Sequence, residues 1–243
     1  MDWFFAENIG EEGSSYLITG EDAVHITKSL RMSVGEVITL CGNDKKERLC
    51  RIERINAEGV LVKVCSSEEC MHEPDIEVTL YFALTKGDKP ETVIQKSIEL
   101  GVYRIVPVLT DRCISRPDDK SAQKKLLRYR KIALQAAMQS RRGIIPEVYP
   151  IVELGKITEE LAEFDKVILF YEGGGKPLRE LISENDKKIA VFIGPEGGFG
   201  ENEVAFLKEN GAVLSTLGKR ILRAETAPVA ALAAIMFHTG NLE

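Results

Sequence analysis

Glycine-rich backbone, more than any cluster of reactive side chains, is the chemical signature of this chain. One loop reads Gly194-Pro195-Glu196-Gly197-Gly198-Phe199-Gly200, and a second reads Leu217-Gly218-Lys219-Arg220-Ile221-Leu222-Arg223-Ala224-Glu225-Thr226-Ala227. Each falls between a predicted strand and a predicted helix. Where side chains are missing, backbone amides approach a ligand closely, so two such loops leaving neighbouring strands form one small-molecule pocket. The pattern puts a cofactor site in the C-terminal part of the chain. The plainer reading, ordinary strand-to-helix turns, needs no ligand.

The order of the glycines excludes the common nucleotide motifs. A dinucleotide-binding turn needs Gly-x-Gly-x-x-Gly with an acid about 20 residues on, whereas Gly194 to Gly200 reads Gly-x-x-Gly-Gly-x-Gly. Gly175-Lys176 and Gly218-Lys219 lack both the earlier glycine and the following Ser or Thr of a phosphate-binding P-loop. His25, His72 and His238 lie too far apart in sequence to suggest a ligand pair, so they read as structural and no metal is expected. No Gly-x-Ser-x-Gly elbow offers a nucleophile. What remains is a reaction that asks little of side chains. Methyl transfer from S-adenosylmethionine fits, because the sulfonium supplies the leaving group while the protein holds two reactants in line.

The elements that must position these loops follow from period and punctuation. Residues 1 to 73 read as a small all-β unit, with alternating strands at 35–41, 48–55 and 59–65, a Gly42-Asn43-Asp44 hairpin turn, and one helix near 21–31. A polar stretch ending in Pro74 marks a boundary. From 74 to 243 strands alternate with helices: strands at 76–84, 103–109, 166–171, 188–193 and 212–217, helices at 89–100 and 121–140, and each of the last three strands followed by a glycine-bearing loop and a helix. This is α/β grammar with a largely parallel sheet. Thr226 is the expected N-cap of a last helix at 227–237, whose small apolar residues suit burial within the domain or across a dimer. Trp3, Phe4 and Phe5 are read as core.

Composition bounds the rest. The chain has 243 residues and a net charge of -6, which argues against a protein coated in positive charge for nucleic acid. Yet Arg116 to Arg142 holds nine basic residues against Asp118 and Asp119. Such a run is either a solvated helix face or a track for a phosphate backbone. No apolar run nears the roughly 18 residues a membrane span needs, and the N-terminus lacks a signal-peptide pattern, so a cytoplasmic location is the default. The five cysteines are odd in number and show no Cys-x-x-Cys pair, as free thiols in a reducing compartment would.

Several motifs in joint order resemble the RsmE family of ribosomal RNA methyltransferases. They are Ile193 to Gly198, Leu217-Gly218 through Ile221-Leu222-Arg223 with Glu225-Thr226, and Gln95 to Val102, together with His25-Ile26, Leu30-Arg31-Met32, Lys86-Gly87 with Lys89, and Gln139-Ser140 with Arg142. The resemblance implies an α/β protein: a PUA-like small β-barrel that binds RNA, then a SPOUT-class domain whose C-terminal chain forms a deep trefoil knot. It implies a homodimer that methylates N3 of a uridine in small-subunit ribosomal RNA, naked or in the assembled subunit. S-adenosylmethionine would lie against Gly194, Pro195, Glu196, Gly197, Leu217, Gly218, Ile221, Leu222, Arg223 and Thr226, with Leu84 and Glu172 at the rim. The sequence departs from the family pattern at Met138, where a glutamate is common, and at Thr226-Ala227-Pro228.

Uracil N3 carries a proton and is a poor nucleophile until it is lost, so the site must remove that proton or stabilise the anion left on the flanking carbonyls. Arg223 is expected in the second role, its alternative being an ion pair with Glu225. Glu225 or Glu196 is the candidate base, and each is also placed to cap backbone amides. RNA backbone would meet Lys28 and Arg31 on the first unit, Lys86 and Lys89 by the pocket, and Arg116, Lys124, Arg128, Arg141 and Arg142 along the basic segment. The rival readings are a knotted methyltransferase acting on another RNA or atom, such as a transfer-RNA ribose hydroxyl, and a non-enzymatic ribosome-assembly factor. A nicotinamide oxidoreductase stands third.

Overall fold

The computed structural model describes residues 2–242. The chain divides into two compact units, one of Met1–Glu73 with Ala137–Ile145 and one of Pro74–Ala136 with Pro146–Glu243. In the first, β1 (Trp3–Phe5), β2 (Ser15–Ile18), β3 (Val37–Cys41), β4 (Lys46–Asn56) and β5 (Gly59–Glu69) form one sheet in the order β1-β3-β4-β5-β2. Alternation drives it: Cys50 and Ile52 on β4 and Val60, Val62 and Val64 on β5 turn inward onto Phe4, Ile18, Ile38 and Leu40. Two register shifts in the β4/β5 pair, at Leu49/Cys50 and Ile52/Arg54, bend these long strands. The expected helix near 21–31 is a short one, α1 (Gly20–Val24), continued by a π turn over His25–Ser29. β1 and β2 went unpredicted because three or four residues are too few to show alternation.

The return of 137–145 to the first unit was not legible in sequence. Glu73 holds it there, accepting from Arg142 Nε at 2.8 Å and Nη2 at 2.9 Å and from the Gly143 amide at 2.7 Å. Gly143 is required, since a Cβ on it would stand 2.8 Å from Cys70 Cβ and 3.2 Å from Lys45 Cα. Arg142, read as an RNA contact, is 2% exposed and engaged side-on by a carboxylate, so its fork is not available to a phosphate.

In the second unit, β6 (Glu77–Ala83), β7 (Arg104–Leu109), β8 (Glu147–Val148), β9 (Val152–Glu153), β10 (Lys166–Phe170), β11 (Lys188–Ile193) and β12 (Ala212–Ser215) form a sheet in the order β12-β10-β11-β6-β7-β8, with β9 also on β7. Every pairing in it is parallel. Its strands are near-continuous apolar runs, as a sheet covered on both faces requires. Tyr81 and Phe192 stack at 4.5 Å in its core. The helices are α2 (Lys89–Glu99), α3 (Asp119–Gln139), α4 (Thr158–Leu161), α5 (Glu201–Glu209) and α6 (Thr226–His238). Lys89-Pro90 opens α2 where a missing amide hydrogen costs nothing, and Gly101 at φ +91° follows its end.

Three details differ from the sequence reading. β10 is followed by a single 3-10 turn, Leu178–Glu180, with no helix. Thr226 is the first residue of α6, Glu225 precedes it, and the Thr226 and Ala227 amides both donate to Arg223 O at 2.9 Å with no side-chain cap. Only one face of α6 is buried, the one that carries Pro228, Ala231, Leu232, Ile235 and Met236. Among the described residues no helix is long and apolar enough to cross a membrane.

The Glu73–Arg142 pair yields a stability test. Both side chains are nearly inaccessible, at 7% and 3%, so removing one partner strands a buried charge and costs roughly 3–5 kcal/mol. Urea unfolding of Arg142→Ala should show a loss of that size, and the Glu73→Gln/Arg142→Met double variant should recover part of it.

Candidate functional site

Because the second sheet is parallel throughout, the loops leaving β6, β7, β10, β11 and β12 gather at one edge. The chain leaves β6 toward β7 and leaves β11 toward β12, on the other side. The crevice between β6 and β11 is therefore the switch point at which open α/β sheets bind ligands.

The loop after β11 is a built object. Gly198 N donates to Pro195 O at 2.9 Å, closing a turn, and Gly198 sits at φ +69° with the Glu172 carboxylate where its Cβ would be. Arg112 Nη1 donates to Gly197 O at 2.6 Å. Pro195 and Phe199 are buried, while Glu196 and Gly197 are exposed. The loop after β12, which lies beyond β10 in the sheet, carries Gly218 at φ +96°, with nothing within 4 Å of the side chain it lacks, and its amide is held by Thr216 Oγ1 at 3.2 Å. Bare backbone thus lies at this edge, although β10 stands between the two strands that the sequence reading took as neighbours. Beside it, the Thr85 hydroxyl at the end of β6 is buried and has no hydrogen-bond partner. A ligand with polar groups suits such an edge.

Lys89 organises the charge. Its Nζ lies 2.7 Å from Glu196 Oε1 and 3.5 Å from Glu225 Oε2, joining the start of α2 to the loop after β11 and to the start of α6. The hydrogen bond to Lys89 holds the Glu196 carboxyl below the usual carboxylate range, and the same bond raises the Lys89 ammonium. Glu225 therefore pairs with Lys89, not with Arg223. Arg223 is exposed, and its guanidinium has no ion pair among the described residues. Of the remaining residues expected at the pocket, Leu217 and Leu222 are half-buried, Thr226 is exposed and Ile221 is 90% exposed. Leu84 is fully buried in a cluster with Ala83 and Cys113, so only its backbone can meet a ligand.

Comparison with known proteins now decides the family. An RNA methyltransferase domain model matches residues 72–236, and an RNA methyltransferase PUA domain model matches 18–65. The ribosomal RNA small subunit methyltransferase E of Bacillus subtilis is 36% identical over 236 residues, 94% of this chain and 92% of its own. The chain belongs to the ribosomal RNA small subunit methyltransferase E family. A Neisseria gonorrhoeae family member bound to S-adenosyl methionine superposes with a TM-score of 0.86 at 31% identity, covering 98% of this chain and 97% of its own. A Legionella pneumophila protein with the cofactor bound gives 0.88 at 32% identity, covering 97% and 96%.

In this family member, the structure adds one residue that the sequence reading missed. Glu203, 7% exposed, accepts from the Asp111 amide and the Gly200 amide, both at 2.8 Å, and so ties the loop after β7 to the loop after β11. Its signal was present in the sequence: a glutamate three residues after a helix-opening glycine has capping-box spacing. The basic residues separate into free and engaged. Lys28, Arg31, Lys86, Lys124 and Arg141 are exposed, while Arg116 donates to Thr110 O at 2.7 Å. Arg128 grips Glu91 with Nε at 2.6 Å and Nη2 at 2.7 Å, and Lys89 is shared by two carboxylates.

Two outcomes follow for the family fold. Glu203→Ala leaves two loop amides without their acceptor, which should cost about 1–3 kcal/mol and speed hydrogen exchange at Asp111 and Gly200. In Lys89→Met, the Glu196 titration should move up toward an ordinary carboxylate, because the ammonium that stabilises its charged form is gone. At neutral pH the native pair is intact, and it is lost only as pH falls through the depressed Glu196 value. Carboxyl-carbon NMR reads both proteins.

Proposed function

We propose that this chain transfers a methyl group from S-adenosylmethionine to N3 of a uridine in small-subunit ribosomal RNA. The observation that carries the reading is family membership over nearly the whole chain, joined to an edge of bare backbone at the parallel-strand ends. The cofactor's neighbours on this reading are the backbone of 194–197 and 217–218 with Ile221, Leu222, Arg223 and Thr226, while Leu84 and Glu172 border it. When bound, the cofactor supplies an electrophilic methyl on a sulfonium leaving group.

The residues divide the work. Arg223 has no competing carboxylate, so its planar fork is free to hydrogen-bond a uracil carbonyl and stabilise the charge that develops there as N3 loses its proton. Glu196 is the weaker base because the Lys89 hydrogen bond lowers the carboxylate's affinity for a proton. Glu225 stands further from Lys89, at 3.5 Å, and its Oε2 is buried without a hydrogen-bond partner. Acceptance of the N3 proton falls to it. The free cations Lys28, Arg31, Lys86, Lys124 and Arg141 would position RNA backbone, with the base drawn out of its stack into the site. The PUA match supports the same substrate class, with the five-stranded sheet read as a small RNA-binding barrel.

Three finer features belong to the same reading. We place the last helix in a SPOUT-class trefoil knot. β12 is at the sheet's edge beyond β10, yet α6 packs on α2 and on the 178–180 turn, so the 216–225 segment must cross back past the connection leaving β10. We assign a homodimer, because the apolar helix α6 leaves a second face open with Ala234 and Phe237, the latter 65% exposed. The cytoplasm, where ribosomal subunits are assembled, is the matching location.

The deciding assay is labelled-methyl transfer to small subunits, and to naked ribosomal RNA, from cells lacking this gene, with the product nucleoside identified by mass spectrometry. The expected product is 3-methyluridine at one site. Arg223→Ala should lower kcat by about 10²–10³, the usual loss for a donor to a developing oxyanion. A different methylated nucleoside would overturn the target, and absence of cofactor binding would overturn the enzyme.

A further inference from the structure

The first unit holds a second group of reactive side chains that methyl transfer does not use. Glu47 on β4, Cys70 immediately after β5 and His72 bring a carboxylate oxygen, a sulfur and a ring nitrogen within 4.8 Å of one another. Cys70 Sγ is 3.6 Å from His72 Nδ1, and Nδ1 is 3.9 Å from Glu47 Oε2. Around tetrahedral zinc, with bonds of about 2.3 Å to sulfur and about 2.0–2.2 Å to nitrogen or oxygen, neighbouring ligand atoms stand roughly 3.3–3.6 Å apart. The triangle therefore needs to contract by about 1 Å at its widest edge, within the reach of a side-chain rotation. We propose that Glu47, Cys70 and His72 form a binding site for a divalent transition metal, zinc first, with water in the fourth position.

The ligands come from positions that are already fixed. The Cys70 amide donates to Lys45 O at 2.7 Å, and the Gly143 backbone packs so closely on Cys70 that a Cβ would stand 3.0 Å from its sulfur. Cys70 is 8% exposed, while His72 is exposed and gives the ion an entry path. The indole of Trp3, itself buried, stands edge-on to the His72 ring at 5.8 Å and 87°, which limits how the ring can turn. Glu47 is anchored on β4 opposite Glu68 of β5. The nearby Cys41 thiol is already committed to Gly143 O at 3.0 Å, so solvent is left to complete the shell.

The donor set chooses the metal. One thiolate, one imidazole and one carboxylate suit zinc or a similar borderline ion and not magnesium or calcium, which take oxygen ligands. On binding, the Cys70 S–H bond is replaced by a sulfur–metal bond and its proton goes to solvent. The ion would then join β4, the end of β5 and, through Cys70, the returning 137–145 segment that carries Arg141. The sequence alone offered only Cys-x-His, since the third ligand is twenty-three residues earlier and reaches the others through the β4/β5 register.

The test uses the full chain, purified without a metal-affinity tag, stripped with a chelator and titrated with Zn2+ and with Co2+. One ion per chain is expected, with a thiolate-to-cobalt charge-transfer band. Removing a ligand in Cys70→Ser or His72→Ala should weaken binding by more than about tenfold, the lower end of what even outer-shell losses cause. Cys65→Ser, an exposed thiol outside the cluster, should bind as the parent does. Glu47→Gln, a near-isosteric change on a half-buried strand residue, serves if a Cys70 variant fails to fold, and it too should weaken binding. The proposal is overturned if no ion is retained at micromolar concentration, if cobalt binds without a thiolate band, or if His72→Ala and Glu47→Gln bind as the parent does.

Discussion

The constraint on which the second unit depends is the parallel placement of β11 between β10 and β6. Parallel neighbours present their C-terminal ends together, and the chain departs from β6 and β11 in opposite directions, so a crevice opens at that point without any side chain being removed. Backbone then becomes the lining. An amide has no rotamers, so it costs little entropy to aim, but it is only as well placed as the turn that carries it. The turn closed by Gly198 on Pro195, the Arg112 bond to Gly197 and the Glu203 carboxylate shared by two loops all serve that placement.

Charge at the edge is arranged around one ammonium. Lys89 faces Glu196 at hydrogen-bond distance and Glu225 at a longer one, and this asymmetry separates two carboxylates that sequence could not rank. The nearer is held ionised and busy, whereas the farther retains an oxygen without a hydrogen bond. The same ammonium removes Glu225 as a partner for Arg223, so the guanidinium stays free. A sequence shows that Arg223 and Glu225 are two residues apart and suggests that they meet; it does not show that a lysine more than a hundred residues earlier intervenes.

What was legible in the sequence was whatever local pattern encodes. Strands β6, β7, β10 and β11 are apolar runs long enough to read, and the glycines at 194–200 and 218 announced a bare-backbone site, of which positive φ restricts Gly198 and Gly218 to glycine and the Glu172 carboxylate closes the space beside Gly198. Short edges such as β1, β2, β8 and β9 were not legible, because pairing partners, not their own alternation, create them. Nor was Arg142. In sequence it ends a basic run, and only the fold shows that Glu73 claims it. Met138, half-buried, packs against the first unit's apolar cluster.

The basic segment shows how far charge counting can mislead. Nine cations between Arg116 and Arg142 look like one surface, yet four of the arginines are already engaged by the fold in three ways. Arg142 is a buried clamp, Arg128 neutralises Glu91, and Arg116 and Arg130 donate to backbone carbonyls, at 2.7 Å to Thr110 and 3.3 Å to Val148. A cation already bound to a carboxylate releases less counterion on meeting a phosphate, because part of its charge is balanced before the RNA arrives. The salt dependence of RNA binding should therefore reflect the exposed Lys28, Arg31, Lys86, Lys124 and Arg141 much more than the length of the run. Affinity for RNA in an acidic protein rests on which cations the fold leaves free, and that is decided by carboxylates such as Glu73 and Glu91.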